Sequence, residues 1–159
     1  MSTSLATARI VGIHHVGVPV RSMERSLAWY RDVFGLEPTA VIESEGEDTS
    51  RAVQLENAKV TAAFLNVGNT VLELLEYQNP VGEDFRVDDG YRMRNCDVGC
   101  IHIALEVDDI EIAHGILVER GAQFSSPPAE IPDGELAGIK FAYFRDPDGV
   151  QFELFERPG

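Results

Sequence analysis

The sequence predicts an α+β fold in which a β-α-β-β-β unit occurs twice. Ten residues beginning at Val11 align without a gap with ten beginning at Val98, so that His15 falls on His102. A Glu-Leu-x-Glu motif recurs near the end of each half, which aligns Glu73 with Glu153. Two copies are too few for a solenoid, so the pattern indicates a single duplication.

The first half opens with residues 11–20, which alternate and are rich in Val and Ile, as expected of a strand. Apolar residues then recur at helical spacing up to Phe34, and Gly35 is expected to end this helix. The acidic segment 43–48 predicts a solvated loop. Three further strands are predicted at residues 36–44, 59–67 and 70–77, the last two joined by a tight turn at Gly68-Asn69.

The second half repeats this order. Residues 100–107 are predicted to form a strand, and Asp109 precedes a helix that continues to Arg120 and ends at Gly121. The segment Asp146-Pro147-Asp148-Gly149 is a strong hairpin turn signal. The strands that follow this helix are predicted at residues 122–124, 138–145 and 150–157.

These elements suggest one integrated domain made of two modules. Residues 1–9 are expected to be a disordered lead-in, residues 10–78 the first module and residues 98–158 the second. Residues 79–97 contain proline, glycine and many charges, which is typical of a linker.

Composition narrows the choice of partners. A formal net charge of −14 argues against nucleic acid and anionic membranes, both of which are bound by basic patches. Lys59 and Lys140 are the two lysines, so a small, neutral or weakly charged substrate is favoured. The N-terminus lacks a basic start and an apolar core, unlike a secretory signal. Cys96 and Cys100 are expected to be reduced thiols of a cytoplasmic protein.

The repeated histidines and glutamates predict one metal site. Because side chains alternate along a strand, one histidine and one carboxylate from each half can converge, whereas the neighbouring His14 is expected to face outward. The predicted ligands are His15, Glu73, His102 and Glu153. Two imidazoles and two carboxylates suit Zn, Ni, Co, Mn or Fe(II), and on an octahedral ion they leave two positions for substrate oxygens. His114 has no repeat partner and is interpreted as structural.

The residues also resemble a known family. The stretches I-H-H-V-G-V-P-V-R-S-M-E-R-S-L-A-W-Y-R-D-V-F-G-L, H-I-A-L-E-V-D-D-I and F-R-D-P-D-G-V-Q-F-E-L-F-E resemble the vicinal oxygen chelate superfamily. This group includes glyoxalase I, methylmalonyl-CoA epimerase, bleomycin-resistance proteins and extradiol dioxygenases. The resemblance implies paired βαβββ modules that form a cupped half-barrel around the metal. It also implies a homodimer, and its ligand positions match the four residues named above.

The resemblance further implies an isomerase or epimerase that removes a proton next to a carbonyl through a metal-stabilised enediolate. Glu153 is the expected base, and Glu73 is the expected carboxylate on the opposite face of the substrate. A polyhydroxy ketone such as a ketocyclitol fits the charge argument. The alternatives are a glyoxalase-type lyase, an extradiol-type dioxygenase and a non-enzymatic resistance protein that binds a small molecule.

Substrate specificity is expected to lie in three loops, at residues 43–57, 78–97 and 125–137. Four side chains are candidate substrate contacts, although surface or structural roles compete for each: Tyr91, Arg92, Arg94 and Arg145.

Overall fold

A computed structural model describes most of the chain. Backbone is described for residues 3–5, 8–84, 86–87, 90–91 and 94–159. Side chains are described for residues 10–84 and 94–159. Arg92 and the side chain of Tyr91, both candidate substrate contacts, lie outside this part.

The elements follow the order that the sequence predicts for each half, with a few short additions. The helices are α1 (Met23–Phe34), α2 (Glu47–Val53) and α3 (Ile110–Glu119). The strands are β1 (Thr3–Leu5), β2 (Ala8–Ile10), β3 (His15–Pro19), β4 (Pro38–Glu45), β5 (Lys59–Val67), β6 (Thr70–Asn79), β7 (Arg86–Val87), β8 (Gly90–Tyr91), β9 (His102–Glu106), β10 (Gln123–Phe124), β11 (Ala129–Glu130), β12 (Lys140–Arg145) and β13 (Gln151–Glu156).

The chain divides into two compact units. The first comprises Met1–Met23 and Leu36–Val81, and its main sheet has the order β3-β6-β5-β4. In this sheet β3 runs parallel to β6, and the other neighbours are antiparallel. Leu65 and Leu74 are fully buried in its core. Alternation along these strands therefore leaves the intervening residues, including His15 and Glu73, on the opposite face.

The second unit comprises Glu24–Gly35 and Gly82–Gly159. Its main sheet has the order β10-β12-β13-β9, with β11 also paired to β12. Here β9 is parallel to β13, which repeats the arrangement of β3 and β6. Phe144 and Phe152 stack against each other with ring centroids 5.4 Å apart, and both are fully buried. The predicted α+β fold, with a β-α-β-β-β order in each half of the chain, is confirmed.

Helix α1 groups with the second unit although it lies in the first half of the chain. Phe34 contacts the rings of Phe144 and Phe152, with centroids 5.9 and 5.8 Å away. The hydroxyl of Tyr30 donates a 3.0 Å hydrogen bond to buried Asp146 in the β12–β13 turn. Helix α1 thus belongs to the second unit because its aromatic residues pack onto the sheet of that unit.

The turn after β12 is held by Asp146 and Asp148. The Asp146 carboxylate accepts hydrogen bonds from the backbone nitrogens of Asp148 and Val150. Asp148 forms an ion pair with Arg25 and accepts a 3.2 Å hydrogen bond from the Ser26 hydroxyl, both on α1. Burial raises the pKa of Asp146 to about 6, against the lowering effect of these donors.

One local expectation was wrong. The acidic segment 43–48 is exposed, but it is not a loop: β4 continues to Glu45, and α2 begins at Glu47. Gly46, with a φ of 100°, makes the sharp change of direction between them. Two acidic residues lie in the first turn of α2, where they interact favourably with the positive end of the helix dipole. This local interaction outweighs the effect of the high density of negative charge.

The N-terminal and linker segments contain short paired strands. Thr3–Leu5 pairs with Ala8–Ile10, and Arg86–Val87 pairs with Gly90–Tyr91, both antiparallel. Among the described residues, no helix is long and apolar enough to cross a membrane.

Candidate active site

The first half brings His15 and Glu73 together. His15 is the first residue of β3, and its Nε2 atom lies 3.3 Å from Oε2 of Glu73 on β6. The histidine side chain is 44% exposed and the glutamate 19% exposed, so the imidazole remains accessible while the carboxylate is largely covered. This pair presents one nitrogen and one oxygen donor on the same face of the sheet.

The second half repeats the pair with His102 and Glu153. Nε2 of His102 lies 3.0 Å from Oε2 of Glu153, with side-chain exposures of 46% and 10%. His102 is the first residue of β9, and Glu153 lies in the middle of β13. The exposures are close to those in the first half, so the duplication preserves the burial of the pair as well as its residue types.

Strand register explains why the two pairs match. His15 is opposite Val71, two residues before Glu73. His102 is opposite Gln151, two residues before Glu153. Residues two apart on a strand share a face, so each histidine and glutamate project from neighbouring parallel strands toward the same side.

The second glutamate of each Glu-Leu-x-Glu motif binds the start of a helix. Oε2 of Glu76 accepts a 2.7 Å hydrogen bond from the backbone nitrogen of Met23, the first residue of α1. Oε2 of Glu156 accepts a 2.6 Å hydrogen bond from the backbone nitrogen of Ile110, the first residue of α3. The first glutamate of the motif therefore faces its histidine, and the second binds a helix N-terminus.

His14 departs from the outward orientation expected for it. Its Nδ1 lies 2.8 Å from Nδ1 of His15, and the two rings make an edge contact with centroids 5.1 Å apart. His14 precedes the first residue of β3, so strand alternation does not direct its side chain. The contact occupies Nδ1 of His15 and leaves Nε2 as the nitrogen that faces Glu73.

Two polar residues beside the second pair were not singled out by the sequence analysis. Tyr143 on β12 is opposite Glu153, and its ring contacts His102 with centroids 5.5 Å apart. Burial raises the pKa of Tyr143, and the charge of Glu153 and a hydrogen bond to it act in the same direction. Gln151 is opposite His102 and is buried.

Their counterparts in the first half are apolar. Phe64 lies opposite Glu73, and Val71 lies opposite His15. In the sequence, Phe64 aligns with Phe144 when the two Glu-Leu-x-Glu motifs are superimposed. In the structure, Tyr143 is the residue opposite Glu153, as Phe64 is opposite Glu73. Four residues separate the paired Asn66 and Val71, whereas five separate the equivalent pair Arg145 and Gln151. This one-residue offset in register is why the sequence alignment did not identify Tyr143.

The remaining candidate residues make contacts with neighbouring protein groups that are typical of structural roles. The ring of His114 packs on Phe124 with centroids 4.3 Å apart, in keeping with its interpretation as structural. Arg94 forms an exposed ion pair with Asp97. Arg145 donates hydrogen bonds to the Gly149 carbonyl and to Asn95. Cys96 and Cys100 are free thiols.

The donor set fits a divalent cation of the borderline class. Each pair offers an imidazole nitrogen and a carboxylate oxygen within hydrogen-bonding distance of each other, and metals such as Zn or Ni accept both donor types. Across the residues that the structure describes, no three His, Cys, Asp or Glu side chains form one metal-holding group. The structure thus supports two separate halves of a ligand set, and the four-residue site stays a prediction.

Comparison with known proteins gives the family. The chain is 32% identical to 2-epi-5-epi-valiolone epimerase from Actinomyces sp, over 93% of this chain and 80% of that protein. It is 33% identical to the mitochondrial methylmalonyl-CoA epimerase of Homo sapiens, over 89% of this chain and 72% of that protein. A glyoxalase family protein from Bacillus cereus has the same fold, with a TM-score of 0.76, 21% identity, and coverage of 98% of this chain and 100% of that one. Residues 12–154 match the family profile, so this chain belongs to the Glyoxalase/Bleomycin resistance protein/Dioxygenase superfamily.

Proposed function

We propose that this protein is a metal-dependent epimerase that inverts a carbon next to the carbonyl of a small hydroxylated ketone. The observation that carries the proposal is the repeated pairing of a half-exposed histidine with a mostly covered glutamate, in the same register in both halves. Relatives named as epimerases match most of the chain at about one-third identity, which supports this reaction class.

The proposed ligands of the metal are His15, Glu73, His102 and Glu153. When bound, a divalent ion supplies Lewis-acid polarisation of the substrate carbonyl, which acidifies the neighbouring C–H bond. His14 supports this assignment because its contact with His15 leaves Nε2 free to act as the ligand nitrogen. In the second half, the Tyr143 ring makes an edge contact with His102 and so restrains the orientation of the imidazole.

Proton transfer is assigned to the two glutamates. Epimerisation needs a group that removes the proton from one face of the carbon and a group that delivers a proton to the other face. Glu153 is proposed as the base and Glu73 as the group acting on the opposite face. Both side chains are largely covered, which limits competition by bulk water.

The substrate is proposed to be a polyhydroxy ketone of the ketocyclitol type. A coenzyme A thioester carries several negatively charged phosphate groups. A protein with a net charge of −14 would need available lysine or arginine side chains to bind them. Both lysines are engaged with glutamates: Lys59 is 3.5 Å from Glu45, and Lys140 is 3.0 Å from Glu156. Five arginines are likewise paired with carboxylates: Arg25, Arg31, Arg51, Arg94 and Arg157.

We further propose a cytoplasmic homodimer. The two free thiols support a reducing compartment.

The test is incorporation of solvent deuterium. Metal-loaded protein is incubated in D2O with 2-epi-5-epi-valiolone or with methylmalonyl-CoA, and the product is analysed by mass spectrometry and NMR. An epimerase adds one deuterium at the carbon next to the carbonyl and yields both epimers. Oxygen uptake with a catechol would instead indicate a dioxygenase, and conversion of the methylglyoxal–glutathione adduct would indicate a lyase. Binding of small molecules without any turnover would favour the resistance-protein alternative.

A further inference from the structure

The amide side chain of Gln151 is buried in a way that folding alone does not explain. It is only 4% exposed, and neither its Nε2 nor its Oε1 has a hydrogen-bond partner among the residues that the structure describes. Folded proteins satisfy nearly all buried polar groups, so an amide with both atoms unpaired calls for an explanation.

The position of Gln151 relates it to the candidate active site. It is opposite His102 in the parallel ladder and two residues before Glu153 on the same strand. Its side chain therefore projects from the face of the second sheet that carries this pair, whereas the neighbouring Phe152 projects into the aromatic core.

In the first half of the chain, an apolar residue occupies the position equivalent to Gln151. Val71 is opposite His15 in the same register, two residues before Glu73. The fold thus tolerates valine where the second half has an amide. Because an unpaired buried amide is destabilising, the presence of Gln151 is better explained by a ligand than by folding.

We propose that the Gln151 amide binds a hydroxyl group of the substrate, next to the carbonyl at which the reaction occurs. A hydroxyl group both donates and accepts, so it can pair with Oε1 and Nε2 of one amide. A carboxylate can only accept, and it would leave Oε1 unpaired. This inference rests on the proposed function and deepens it, since it selects hydroxylated ketones over carboxylated thioesters such as methylmalonyl-CoA.

Tyr143 extends the same polar surface. It is opposite Glu153, where the first half has Phe64 opposite Glu73. The second half therefore has an amide and a phenol at the two positions where the first half has valine and phenylalanine. Substrate recognition is thereby assigned to one half of a duplicated fold.

The test replaces Gln151 with methionine, which has nearly the same size and cannot form these hydrogen bonds. The matched control is Gln123→Met, because Gln123 is an exposed glutamine on β10 of the same sheet. Three quantities are measured for each variant: the melting temperature without substrate, the metal content, and the KM and kcat for 2-epi-5-epi-valiolone.

For Gln151→Met we expect KM to rise by about tenfold or more, since the substrate hydroxyl loses its partner. Metal content should equal that of wild type. The melting temperature without substrate should rise by roughly 3 °C, because a buried unpaired amide is removed. Gln123→Met should change none of these. A structural glutamine would give the opposite result, a lower melting temperature with KM unchanged.

A KM within twofold of wild type in Gln151→Met overturns the inference, as does an equal rise in Gln123→Met. If Gln151→Met does not fold, Gln151→Val replaces it, since it copies the first-half residue. Turnover of methylmalonyl-CoA alone, unaffected by either Gln151 variant, would leave the epimerase proposal standing and reject this inference. If wild type turns over neither compound, calorimetric binding of the ketocyclitol to wild type and Gln151→Met decides the inference independently.

Discussion

His102 and Glu153 face each other across two parallel strands, with Nε2 and Oε2 separated by 3.0 Å. His15 and Glu73 repeat the relationship at 3.3 Å. The duplication has therefore preserved a donor pair together with the strand register that creates it. Four predictions follow from these contacts and from the turn and helix contacts around them.

Replacing His102 with alanine should abolish stable metal binding. The change removes one of the proposed ligand nitrogens, and loss of a ligand from such a site lowers affinity by at least tenfold. Elemental analysis after dialysis against chelator measures the bound ion. The control is His114→Ala, a histidine that packs on Phe124 away from the pair, and it should retain the metal. Equal metal content in the two variants would contradict the ligand assignment.

Glu153→Gln and Glu73→Gln should each slow epimerisation by about 10²–10⁴-fold, because general acid–base transfer makes a contribution of that size. Stopped-flow or quenched assays at matched metal occupancy measure kcat. Glutamine retains the size of the side chain and an oxygen atom, so gross unfolding is not expected. A Glu73→Gln variant that epimerises at the wild-type rate would contradict the proton-transfer role proposed for Glu73.

Asp146 should make the folded protein less stable as pH rises from about 4 to about 6. Its pKa is raised to about 6 in the folded protein, above the usual value of 3.8, so the native state binds more protons in this interval. Stability is then lost as pH increases, and the full shift corresponds to about 3 kcal/mol.

Urea unfolding of wild type and Asp146→Asn at several pH values isolates this effect. The difference in unfolding free energy between the two proteins should change by about 2–3 kcal/mol between pH 4 and pH 7. Asparagine can still accept the backbone hydrogen bonds of the turn. A difference that does not vary with pH would show that the carboxyl group titrates normally.

Glu76→Ala should destabilise the protein by about 1 kcal/mol, since it leaves the first backbone N–H of α1 without its carboxylate partner. Chemical denaturation provides the measurement. The control is Glu43→Ala on β4, an exposed glutamate, which should change stability by less than about 0.5 kcal/mol. Equal effects of the two substitutions would indicate that loss of negative charge, and not of the helix contact, is responsible.

Much of the architecture was predictable because it is periodic. Alternation located β3 and β9, helical spacing located α1 and α3, and turn residues such as Gly35 and Gly149, both with positive φ, located the ends. The acidic segment 43–48 was predicted incorrectly because charge density indicates exposure but does not distinguish an exposed strand or helix from a loop.

The sequence by itself determined the duplication, the order of elements and the pairing of each histidine with its glutamate. These properties are encoded locally, in residue spacing and in the side-chain alternation of a strand. Only the tertiary structure decided that α1 packs on the second sheet and that Glu76 and Glu156 bind helix N-termini. It also decided that Gln151 is buried with no hydrogen-bond partner in the described part of the chain. Those properties depend on strand register and on contacts between residues distant in the chain, and a one-residue offset in register suffices to change which side chains meet.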